Sequence, residues 1–89
     1  MFSIRLLKDA NLELTRLDKS VAKRIVRKLH WLADNLEGLH PEPLKGGFSG
    51  LYKLREGDYR IVYEILRSEQ TIIVHLIGHR REVYKMKRE

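Results

Sequence analysis

Apolar and polar positions alternate at the start of the chain. Phe2, Ile4 and Leu6 stand against Ser3 and Arg5, the two-residue period of a short strand. The period then lengthens. Residues Ala10–Leu17 read as a short helix, and Asp18 as the cap of a longer one. The apolar stripe Val21, Ile25, Leu29, Leu32 and Leu36 keeps helical spacing. Lys23, Arg24, Arg27 and Lys28 fall largely off that stripe, and Trp31 beside it is assigned to packing. Gly38 suits a left-handed residue closing the helix, and Pro41 and Pro43 forbid its continuation. Leu44–Gly50 is a glycine-rich connector that lacks both the Lys-Ser/Thr ending of a phosphate-binding loop and the spacing of a dinucleotide fingerprint.

Three runs of strand character follow: Leu51–Arg55, Tyr59–Leu66 and Thr71–Ile77. The turns between them, Glu56-Gly57-Asp58 and Ser68-Glu69, are short enough to predict an antiparallel meander. Gly78 is predicted to end the third strand before a basic tail, His79–Glu89. The expected fold is α+β: a small antiparallel sheet, mixed where the N-terminal strand joins it, packed by two N-terminal helices. Those helices should cover one sheet face and leave the other available.

Composition narrows the function classes. A chain of 89 residues is expected to be one domain spanning 1–89. With no cysteine, disulfides, thiolate catalysis and cysteine zinc sites are excluded. No run approaches the roughly 18 apolar residues of a spanning helix, and Met1–Asp9 has no signal-peptide core, so no membrane partner and a cytoplasmic placement are expected. No spacing of His, Asp and Glu resembles a metal site, so neither metal nor cofactor is expected. The net charge of +6 favours a polyanionic partner, nucleic acid or acidic protein, or else serves solubility alone. Charge does not choose RNA over DNA.

The first hairpin sharpens this. If Gly57 and Asp58 form a two-residue turn, Arg55 lies opposite Arg60, Leu54 opposite Ile61 and Lys53 opposite Val62. Lys53, Arg55, Arg60, Val62 and Glu64 then share one face, and Tyr52, Leu54, Tyr59, Ile61 and Tyr63 the other. Like charges set opposite each other cost a few tenths of a kcal/mol or more, a pairing a purely structural sheet has little use for. Converging cations make sense where an anion binds. The plainer alternative is a solvated sheet face.

The segment Tyr52–Tyr63, with its YRIVY strand, and the ending Ile77-Gly78-His79-Arg80-Arg81-Glu82-Val83-Tyr84 together resemble the RelE/ParE superfamily of bacterial toxins. The resemblance implies a toxin of a type II toxin–antitoxin system. It further implies a metal-independent endoribonuclease that cuts messenger RNA in the ribosomal A site by 2′-hydroxyl attack. By that likeness Lys53, Arg55, Arg60, Arg80 or Arg81, and Tyr84 match the catalytic positions. Lys45, Lys53, Glu64 and His79 are expected along the RNA path. The implied partners are an acidic, RelB-like antitoxin, messenger RNA with the ribosome, and operator DNA reached indirectly through the antitoxin. Two departures matter: Leu51 stands where ribonuclease members carry a second lysine, and some members use a Glu and a His, for which Glu64 and His79 are the available pair.

The chemistry assigns roles. Arg60 with Arg80 or Arg81 suits a phosphate clamp, because the guanidinium fork can hold two oxygens. Lys53 adds charge at the same phosphate, and Arg55 faces the leaving oxygen, although arginine is a poor proton donor. Tyr84 is the candidate base; a free phenol with a pKa of about 10 is little ionised at neutrality, and nearby cations would favour the phenolate and bring that value down. Stacking on a base is its other possible role. Two alternatives stay open: a ParE-like inhibitor of DNA gyrase, and a catalytically inactive regulator bound to its antitoxin.

Overall fold

The computed structural model describes residues 1–46 and 49–81. Strand β1 (Ser3–Leu6) leads into helices α1 (Lys8–Arg16) and α2 (Lys19–Asn35), then into strands β2 (Glu42–Pro43), β3 (Tyr52–Glu56), β4 (Tyr59–Leu66) and β5 (Thr71–His79). The strands form one sheet in the order β1-β5-β4-β3-β2. β1 runs parallel to β5, and the remaining pairs are antiparallel. The expected α+β architecture is therefore present, mixed at its N-terminal edge.

The helical stripe does what its spacing requires. Ile25, Leu29, Leu32 and Leu36 are buried with Phe2, just ahead of β1, and with Ile61, Tyr63, Ile72, Val74 and Ile77 of the sheet. A nine-residue helix such as α1 is marginal alone, and Ala10, fully buried, docks it on the same core. Burying one such Leu or Ile side chain contributes about 1.5–3 kcal/mol. Tyr63 lies in this layer beside Tyr52, ring centroids 5.7 Å apart. Burial, with Tyr52 adding to it, pushes the Tyr63 phenol up to about 12.

Several boundaries differ from expectation. The end of α2 does not use a left-handed glycine: its last turn tightens into a 3₁₀ turn, Leu36–Gly38, closed by the Leu39 amide donating to Leu36. Positive φ occurs instead at Gly46, Gly50 and Gly57, where the connector and the hairpin turn. Asp18 is the N-cap residue of α2, but its side chain makes no capping bond; its carbonyl accepts from Ala22. β2 has no alternating pattern, and its proline is tolerated because it lies on the outer edge of the sheet. Gly78 does not end β5. The ladder carries through it, pairing Gly78 with Arg60 and His79 with Tyr59.

The hairpin register is the one its turn dictates: Glu56 pairs with Tyr59, Arg55 with Arg60, Leu54 with Ile61 and Lys53 with Val62. Gly57 has φ +59° and Asp58 does not have positive φ, the signs of a type II′ turn. The face away from the helices is only partly open. Leu44 and Leu51 fold over Val62 and Leu76 as a second small apolar cluster, tied by the Leu44 amide donating to the Leu51 carbonyl.

Candidate active site

Because β3 and β4 are in this register, Lys53, Arg55 and Arg60 reach one hollow of about 110 Å³, which Glu42 completes from the edge strand. The cations differ in how they are held. Arg60 is buried, and its Nη1 donates to the carbonyls of Gly57 at 3.2 Å and Tyr59 at 3.1 Å. Those bonds fix the guanidinium plane while Nε and Nη2 make no bond among the described residues. A fork held in advance binds phosphate without the entropy cost of a free side chain. Lys53 lies 3.4 Å from the Glu42 carboxylate. Arg55 is exposed.

Glu42 escaped the sequence reading. Nothing in the pattern marks Glu42-Pro43 as a strand; an acidic residue beside a proline near a sheet edge was the one signal available. His40, a loop residue, lines an adjoining hollow of about 280 Å³ that shares Glu42, Lys53 and Arg55.

The remaining candidates separate. His79 pairs with Tyr59 on the helix-covered side, the rings edge-on at 5.8 Å, so it does not share the face of the cations. Glu64 does share that face, but its partner is His75, Nε2 to Oε1 at 2.8 Å. His75 is the extra residue of a bulge opposite Val62 and Tyr63, which turns its side chain toward Glu64. The expected Glu64–His79 pair is thus replaced by Glu64–His75. Lys45 is exposed on the connector. Arg80 and Arg81 are exposed beside the hairpin tip, where the Arg80 amide donates to the Asp58 carbonyl at 2.8 Å. Tyr84 lies outside the described residues. Among the described residues no cluster of His, Asp and Glu could hold a metal, and no helix is long and apolar enough to cross a membrane.

The family model for the ParE toxin of the type II toxin–antitoxin system parDE matches residues 4–84. The chain belongs to this toxin family. Solved structures agree on the fold. The toxin–antitoxin complex RelBE2 of Mycobacterium tuberculosis superposes with a TM-score of 0.78 at 22% identity, covering 88% of this chain and 96% of that one. The isolated RelE toxin of Escherichia coli gives 0.75 at 21%, covering 97% and 94%. The RelB–RelE complex of Methanococcus jannaschii gives 0.69 at 24%, covering 92% and 96%. At these identities the likeness is one of fold. No curated protein sequence matches.

The toxin's sheet therefore has a helix-covered face that carries stability and an opposite face that gathers charge. On the second, a hollow with three cations and one carboxylate can hold a phosphodiester and supply a proton acceptor.

Proposed function

We propose that this toxin is a single-domain, metal-independent endoribonuclease of the cytoplasm that cuts messenger RNA engaged on the ribosome. The observation that carries the reading is the convergence of Lys53, Arg55 and Arg60 on one hollow of the helix-free face. Cleavage by a 2′-hydroxyl requires proton removal, stabilisation of the charged phosphorane and protonation of the leaving oxygen. Arg60, pinned by the turn carbonyls, holds two phosphate oxygens; Lys53 adds charge, and Arg80 or Arg81 closes the clamp from the hairpin tip. Arg55 lies at the leaving oxygen, and His40 is within the adjoining hollow as a proton donor. Proton removal falls to Tyr84 or to Glu42, which a phosphate would release from Lys53. Lys45 and Glu64 border the strand's path.

Such acid–base groups give slow chemistry on a free strand, so orientation by the ribosome supplies much of the rate. The partner that restrains the toxin is an acidic, RelB-like antitoxin laid on the basic surface, which brings the pair to operator DNA. The complexes of related folds with RelB antitoxins, in Mycobacterium tuberculosis and Methanococcus jannaschii, support that partner.

A second reading has its own support: the matching family model is that of parDE toxins. A gyrase inhibitor has no need of a phosphodiester-sized cationic hollow. Purified toxin added to a translating extract separates the two. New 5′ ends within ribosome-bound message, few on naked RNA, and no gyrase-dependent DNA breaks are expected. Breaks in DNA with intact message would overturn the ribonuclease reading.

A further inference from the structure

Helix α2 carries five cations, Lys19, Lys23, Arg24, Arg27 and Lys28, against one carboxylate, Asp34, so this one helix holds +4 of the chain's +6. None of those cations makes an ion pair among the described residues. Counted from Arg24, Arg27, Lys28 and Trp31 stand three, four and seven residues on, which lines all four along one side of the helix over roughly 10 Å. They line an open cleft of about 430 Å³, with Glu56 of β3 on its far wall.

Trp31 is the telling residue. The sequence assigned it to packing, yet it is 41% exposed while its helical neighbours Leu29 and Leu32 are buried. The Lys28 ammonium stands 4.3 Å from its ring centroid. An indole left at the surface beside three cations offers a stacking platform next to phosphate-binding groups, the combination by which single-stranded nucleic acid is held without sequence preference. A cationic patch alone would also suit an acidic protein; the exposed indole among the cations favours a ligand that presents flat bases and phosphates together. The cleft belongs to the helical layer, on the opposite side of the sheet from Lys53, Arg55 and Arg60.

We propose that the outer side of α2 is a second RNA-binding surface, on which an unpaired base stacks against Trp31 while Arg24, Arg27 and Lys28 hold the flanking phosphates. This rests on the reading of RNA as the target, and it gives the toxin two RNA contacts facing opposite ways. One grips the strand to be cut. The other holds a separate segment of RNA, which lets a body this small dock on a large ribonucleoprotein and present its hollow to the message.

Trp31 is the chain's single tryptophan, so its emission reports the contact without any cleavage. The full-length toxin is titrated with a short 2′-O-methyl RNA, which cannot be cut, at several salt concentrations. Emission is expected to fall on binding, equally in wild type and in Arg60→Ala. Labelled-RNA anisotropy should show binding about tenfold weaker in Trp31→Ala and largely restored in Trp31→Phe. The triple change Arg24→Gln, Arg27→Gln, Lys28→Gln should lower the salt slope by about 2, with unchanged circular dichroism. Emission that stays constant at saturation, or wild-type binding by both the Ala and the triple variants, overturns the proposal. So does an emission change produced only by an acidic peptide. Quenching by RNA in a toxin that cuts no message would leave this surface standing and remove the ribonuclease reading.

Discussion

The two faces of the sheet are made from the same strands and obey different rules. On the helix-covered face Tyr52, Leu54, Ile61 and Tyr63 join a continuous apolar core. On the other, one residue along in the same strands, Lys53, Arg55 and Arg60 gather at one hollow beside the small apolar cluster of Leu44, Leu51, Val62 and Leu76. The first face is organised by burial and the second by charge placement at a cost in stability. Substitutions should therefore separate stability from activity by face.

The largest effect belongs to the core. Leu32→Ala, at a fully buried position of α2, should lower unfolding free energy by about 2–5 kcal/mol in urea titration. At temperatures where it remains folded, cleavage should be unchanged. Next is Arg60→Ala, expected to reduce cleavage of ribosome-bound message about 100-fold, close to 2.7 kcal/mol of transition-state stabilisation. Arg60→Lys keeps the charge and loses the fork, and should recover only part of that.

One pH effect should come from the helix-covered face. With the buried Tyr63 phenol at about 12 and an unfolded tyrosine near 10, the protonated folded state is favoured below both values. Stability should fall as pH rises from about 10 to 12, by on the order of 2 kcal/mol, and Tyr63→Phe should flatten that fall. The smallest effect is the most discriminating. Arg55→Ala removes a cation opposite Arg60, so stability should hold or rise by a few tenths of a kcal/mol while cleavage drops. A core-face residue could not show that pair of signs.

What the sequence made legible follows the same division. The stripe of α2 and the register of the first hairpin depend on periodicity and on one glycine turn, both local, and both are as read. The site is legible only where it lies on that hairpin. Glu42 reaches it through a two-residue edge strand that has no period to detect. His75 replaces His79 beside Glu64 because a bulge shifts the alternation of β5 by one residue, which no regular pattern encodes. Trp31 was misplaced because position next to an apolar stripe does not reveal whether a sheet lies opposite it.

Mapping transcript 5′ ends after brief induction of wild type and Arg60→Ala tests the charged hollow most directly. New ends inside ribosome-covered codons in wild type, nearly absent in the variant at equal protein level, are the expected result. Identical end profiles from both proteins would contradict a cutting role for this face.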